Sequence, residues 1–149
     1  MPTITPFLWF DGDLAEPIAF YRSVFPDAAA PELGDGPVYS ATIELAGQRL
    51  MLLNGGPAQF GFTEAISMFV SVDTQDEVDS LWEQLTANGG TPGNCGWLKD
   101  RYGLSWQIVP SVLGSLVGSP DRARAQQAID AMLQMSKLHI ATLQAAFDA

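Results

Sequence analysis

A strand, a capped amphipathic helix and further strands occur twice in this chain, about 60 residues apart, and that repetition limits the folds open to it. In the first half, "TITPFLWF" is rich in β-branched and aromatic residues and closes at Asp11-Gly12, which predicts a strand. Asp13 and Glu16 stand at capping-box spacing ahead of "PIAFYRSVF". Ile18, Tyr21 and Phe25 share one face of that helix, and Pro26 ends it. A Gly/Pro loop, "PELGDGP", leads to "VYSATIELAG", where Tyr39, Ala41, Ile43 and Leu45 alternate with Ser40, Thr42 and Glu44. Ala46-Gly47 then turns the chain into "QRLMLLN", a predicted hairpin.

The second half follows the same plan. "AISMFVSVD" predicts a strand, and Thr74 to Glu77 form a capping box before "EVDSLWEQLTANGG", which Asn88-Gly89-Gly90 terminates. Two strands follow around "CGWLK" and "LSWQIVP", joined by a turn at Tyr102-Gly103. Glu16, Phe20 and Tyr21 hold the same offsets in the first helix as Glu77, Leu81 and Trp82 in the second, as an internal duplication would leave them. From Ser111 the pattern becomes helical. Pro120 stands inside a Ser119 cap, Ala125, Ile129, Met132 and Leu133 share a face, and a last helix groups Ile140, Leu143 and Phe147.

Several function classes are excluded at this level. A chain of 149 residues with 47% apolar content suits one domain with a real core. No apolar run approaches a membrane span, so no membrane partner is expected. The opening "MPTITPFLWF" lacks the basic region of a secretion signal. A single cysteine excludes an internal disulfide and points to the cytoplasm. A net charge of -10 leaves no basic stripe for nucleic acid.

The stretches "ITPFLWFDGDLAEPIAFYRSVFP", "LNGGP", "EAISMFVSVDTQDEVDSLWEQL", "CGWLKDRYGLSWQIVP" and "AMLQMSKL" closely resemble the PhnB-like branch of the vicinal oxygen chelate superfamily. That superfamily includes glyoxalase, bleomycin-resistance and dioxygenase proteins, and members of this branch carry the label demethylubiquinone methyltransferase-like. The resemblance implies an α+β fold of two βαβββ modules forming a curved mixed sheet around a cleft, here followed by C-terminal helices. It places module one at about 3–60, module two at about 64–110 and a helical tail at about 111–149, within a single domain spanning 1–149. It also implies a homodimer, with the cleft built within one chain or from swapped modules of two.

Metal-dependent relatives present His, Gln or Glu from four strands. The matching positions here are Thr5, residues 50–54, Ser67 and Gln107, with Gln107 where such a relative would present Glu. Hydroxyls and amides are weak ligands without an imidazole or carboxylate, so no metal and no cofactor are expected. His139, the only histidine, reads as an exposed helix start.

Lys99 and Arg101 are near Cys95 in sequence, but along a strand Lys99 would stand ~13 Å away, so the inert reading, a small buried hydrophobe, is favoured. Asn54-Gly55-Gly56-Pro57 has no following helix or Lys and reads as a structural loop rather than a phosphate cradle. Glu44, Asp73 and Asp100 are single carboxylates, each expected to be solvated or capping. What remains is a binding cleft for a flat or apolar small molecule, with Trp9, Asn54, Ser67, Phe69, Trp97 and Gln107 as candidate lining residues. No catalytic residue is identified. The alternatives are a metal-dependent lyase, isomerase or dioxygenase and, more weakly, a quinone-related methyltransferase.

Overall fold

The computed structural model describes residues 1–32 and 36–149, so the expected Gly/Pro loop at residues 31–37 lies partly outside the described residues. The chain divides into two compact units, Met1–Gly61 and Phe62–Ala149.

The first unit runs β1 (Phe7–Phe10), α1 (Ala15–Val24), β2 (Ser40–Leu45) and β3 (Gln48–Asn54), in sheet order β1-β3-β2. β1 is parallel to β3, with Phe7 opposite Met51 and Phe10 opposite Asn54. β2 and β3 form the expected antiparallel hairpin. Its turn places Ala46 at φ 47° and Gly47 at φ 84°, the twist that a two-residue hairpin loop requires. One face of the sheet carries Leu8, Phe10, Ile43, Leu45, Leu50 and Leu52, all buried. On α1, Ile18, Tyr21 and Phe25 are buried as their spacing predicts.

Two local expectations for this unit change. The N-cap of α1 is Leu14, already helical at φ -76°, and it makes no side-chain cap. Asp13 instead accepts from the Ala15 N–H at 2.7 Å, because it lies one residue too early to close a box with Glu16. Among the described residues the module has three strands, and where a further strand would pair with β2 an isolated bridge joins Ala29 to Glu44. Pro26, Pro31 and Pro37 flank that position, and proline cannot donate to a ladder.

The second unit runs β4 (Ser67–Val72), α2 (Gln75–Thr86), β5 (Thr91–Pro92), β6 (Trp97–Lys99) and β7 (Ser105–Pro110), in sheet order β4-β7-β6-β5. The connectivity of the first unit recurs: β4 is parallel to β7, and β7 is antiparallel to β6. β5, only two residues long, was not evident in the sequence; with it this unit is a complete βαβββ module. Thr74 caps α2 by accepting from the Glu77 N–H at 3.2 Å, and its hydroxyl donates to the Glu77 carboxylate at 2.9 Å. Asn88 ends that stretch in the left-handed region, at φ 54°.

The tail forms α3 (Val112–Val117), α4 (Arg122–Leu133) and α5 (Ile140–Asp148). Leu116, Ala128, Leu138 and Leu143 cluster with Val109, so these helices pack on the end of β7. Asp121, not Ser119, caps α4 by accepting from the Arg124 N–H, and the Ser119 hydroxyl accepts from the Asp121 N–H. A carboxylate is the stronger acceptor at a helix N-terminus. Ala125 and Ala128 are the buried side of α4, whereas Leu133 is exposed at its last turn. Gln75 ties the tail to α2: its amide donates to the Leu138 carbonyl and accepts from the Ile140 N–H. Lys137 pairs with Asp79 at 2.8 Å, and this bond, with a second from Gln75, holds the Asp79 carboxyl below the ordinary aspartate range. Among the described residues, no helix is long and apolar enough to cross a membrane.

Candidate functional site

Strand register decides which side chains share a face, since alternate residues point to opposite sides. On β7, Trp106 and Ile108 are buried on the side of α2, together with Leu98 of β6. Ser105 and Gln107 therefore point to the other side. Their cross-strand partners are Ser67 and Phe69 on β4, and Lys99 and Trp97 on β6. The expected residues Ser67, Phe69, Trp97 and Gln107 thus lie on one face of one sheet. Phe69 is 61% exposed there. Gln107 donates through Nε2 to the Ser67 hydroxyl at 3.0 Å, so each partly satisfies the other.

At the β5–β6 end of this face lies a cavity of about 680 Å³, lined by Glu64, Thr91, Asn94, Trp97, Lys99 and Ser105, with Pro92, Gly93 and Leu98 completing the wall. Of its lining residues, Trp97 alone was singled out from sequence as a cleft residue, and Lys99 and Ser105 are among those that were not. The signal was present: Lys99 is two residues from Trp97, and Ser105 two from Gln107, so both share their parity. Lys99 forms an ion pair with Glu64 at 2.5 Å, which holds the Glu64 carboxyl below the ordinary glutamate range. Ser105 is fully buried, and its hydroxyl has no hydrogen-bond partner among the described residues. Such a group is uncommon in a folded protein.

The turn that holds Lys99 next to Ser105 is stapled by a buried carboxylate. Asp100 accepts from the Tyr102 N–H at 2.9 Å, the Leu104 N–H at 3.1 Å and the Trp106 indole N–H at 2.9 Å. Asp100 is 2% exposed, so of the two roles expected for it, solvated or capping, it takes the second in a buried form. Asp73 accepts from the Ser111 hydroxyl at 2.6 Å and joins the end of β4 to the start of α3.

Cys95 is not on a strand. With Gly96 it forms the β5–β6 turn, at φ 57° and 86°. The Cys95 and Gly96 N–H groups donate to the Met135 and Ser136 carbonyls, and a Cβ at Gly96 would come within 3.0 Å of the Leu138 side chain. This turn is an anchor for the tail.

Trp9 and Asn54 belong to the first unit. Trp9 lies on the open face of that sheet, but it is engaged locally. Its indole N–H donates to the Gly56 carbonyl at 2.9 Å, and its ring meets Phe60 edge-on at 5.2 Å. A Cβ at Gly55 would lie 2.0 Å from the Trp9 ring, so "NGGP" needs glycine there because the indole lies on its backbone. Asn54 faces the other way from Trp9, and its side-chain oxygen accepts from the Gly12 N–H at 3.2 Å. A smaller cavity of about 370 Å³, beside Glu44 and Arg49, lies over β2.

The positions matched to the metal ligands of metal-dependent relatives carry no imidazole or carboxylate. Ser67 and Gln107 are a hydroxyl and an amide turned toward each other. Of the first-unit positions, Leu50 and Leu52 are buried leucines and Asn54 is bonded to Gly12. Among the described residues, no three His, Cys, Asp or Glu side chains gather as a metal would need. His139 is the exposed N-cap of α5.

Comparison with known proteins identifies the family. Residues 2–109 match the family of 3-demethylubiquinone-9 3-methyltransferase proteins. The chain belongs to that family. A PhnB protein from Bacillus cereus that bears the same methyltransferase name is 29% identical, with a TM-score of 0.65 over 74% of this chain and 100% of the other. PA1353 from Pseudomonas aeruginosa is 21% identical, with a TM-score of 0.59 over 74% and 98% of the two chains. The fosfomycin resistance protein FosX from Listeria monocytogenes, complexed with Mn(II) and sulfate, is 15% identical, with a TM-score of 0.54 over 76% and 92%. These last two likenesses describe the fold alone. No curated protein matches the sequence.

Proposed function

We propose that this PhnB-like protein binds a flat, apolar or aromatic small molecule in the cavity of its second unit, without a metal ion. The cavity itself carries the reading. Its size falls within the range of ligand pockets, and it combines an indole wall with a few polar groups. The weak donor set at the positions matching the superfamily's metal ligands supports the metal-free part. FosX holds Mn(II) on a similar fold, but a shared fold does not carry a reaction with it. The methyl transfer in the family name gains no support from the order of elements in the two units, each a strand, a helix and then further strands rather than alternating βα units. The reading includes a cytoplasmic homodimer, for which the single cysteine and the apolar side chains on the open faces, Phe7 and Phe69, are the support.

The test uses 2-naphthalenemethanol as the probe, with thermal melting and metal analysis of the purified protein. The expected result is saturable stabilisation that survives chelation. Absence of stabilisation, or stoichiometric metal whose removal lowers the melting temperature, would overturn the reading.

A further inference from the structure

We infer that the cavity of the second unit selects aromatic carboxylic acids, with Lys99 and Ser105 receiving the acid group while the ring lies against Trp97; this rests on the ligand-binding reading of the same cavity. Three observations lead to it. The first is placement. Lys99 and Trp97 are two residues apart on β6 and line one cavity, so the backbone positions that carry a cation and an aromatic wall stand about 7 Å apart. A ligand with an acid group on a one- or two-ring aromatic body spans that distance.

The second observation is Ser105. It is the direct cross-strand partner of Lys99 and lines the same cavity, fully buried, with a hydroxyl that nothing among the described residues satisfies. An unpaired buried hydroxyl carries a desolvation cost, and a donor beside an ammonium suits a carboxylate, which only accepts. An ammonium and a hydroxyl together give charge-assisted bonds, the stronger kind.

The third is that the present partner of Lys99 is replaceable. Glu64 lies outside the strands, on the segment before β4, and its side chain is 63% exposed, against 40% for Lys99. An ion pair this exposed contributes little to stability. Lys99 is fixed by the sheet, whereas Glu64 approaches from the connecting segment. A ligand carboxylate therefore takes the place of the Glu64 carboxylate on the ammonium, and the recognition is an exchange of one carboxylate for another. The chain's net charge of -10 opposes an anion at long range, but salt screens that repulsion beyond about 10 Å, and the contact with Lys99 is not so screened.

The experiment is calorimetric titration of the full chain with 2-naphthoate and with its neutral counterpart 2-naphthamide. The acid is expected to bind about tenfold more tightly. Lys99→Met, which keeps the stem and loses the charge, brings the acid down to the affinity of the amide. Ser105→Ala weakens the acid several-fold without lowering the melting temperature, because it removes a hydroxyl with no partner to lose. Glu64→Gln strengthens the acid by removing its competitor. Equal binding of acid and amide, or an acid affinity indifferent to Lys99→Met, overturns acid recognition and leaves the apolar-ligand reading standing. Binding of neither probe overturns both.

Discussion

On the open face of the first unit, Trp9 is occupied: its N–H is given to Gly56, its ring lies on Gly55 and its edge meets Phe60. On the open face of the second unit, Trp97 forms a cavity wall beside a lysine and a buried hydroxyl that has no partner among the described residues. The first three strands of each sheet share one connectivity, and the second sheet adds β5, whose Thr91 and Pro92 help to wall the cavity. The connections add to that difference. In the first unit the segment after β3 runs through Gly55 and Gly56 to Phe60 and meets the indole. In the second, the chain after β7 turns into helices that pack on Val109, at the opposite end of the strand from Ser105. Two units of like topology thus differ in one respect: the open-face indole is packed against its own loop in the first and lines a cavity in the second.

The largest expected effect concerns how that open face is held. The β2–β3 hairpin turns on two residues, whereas the β6–β7 turn depends on Asp100 and its three acceptor bonds. Asp100→Ala leaves two backbone N–H groups and the Trp106 indole N–H without this acceptor. It should cost about 2–4 kcal/mol in denaturant unfolding and weaken naphthoate binding as Lys99 and Ser105 lose their register. A loss of stability with binding intact would separate the staple from the site.

The next effect sharpens the structural reading of the first face. Gly55→Ala drives a methyl group into the Trp9 ring and should cost about 1–3 kcal/mol, measured the same way. Ligand affinity should be unchanged. A neutral Gly55→Ala would mean that the indole does not rest on this loop.

The smallest effect belongs to the tail. The folded-state pKa of Asp79 is depressed by its bonds from Lys137 and Gln75, so its contribution is present above the unfolded value and lost as pH falls through the folded one. Asp79→Asn should flatten slightly the fall in melting temperature between about pH 5 and pH 3. Nearly half of the Asp79 side chain is open to solvent, which screens the pair, so the difference will be small.

Much of this was legible in the sequence where the cause is local. Thr74 declared its helix because the capping partner lies three residues on, and the Ala46-Gly47 turn because its backbone needs are written in two residues. β5 was not legible, since two residues including a proline carry no alternation. Parity places Ser67, Phe69, Trp97 and Gln107 on one sheet face, and the same rule extended by two residues reaches Lys99 and Ser105. What parity cannot report is engagement. That Trp9 is bound to Gly56, that Asn54 holds Gly12 and that Asp100 reaches Trp106 are contacts between residues whose meeting depends on the folded chain.

The most direct test of the difference between the two faces is a paired titration of Trp97→Leu and Trp9→Leu with 2-naphthoate, with the melting temperature of each variant. The account predicts that Trp97→Leu loses affinity about tenfold or more with little change in melting, while Trp9→Leu melts several degrees lower, for roughly 1–2 kcal/mol lost, and keeps its affinity. Affinity lost in Trp9→Leu and retained in Trp97→Leu would contradict it and move the binding face to the first unit.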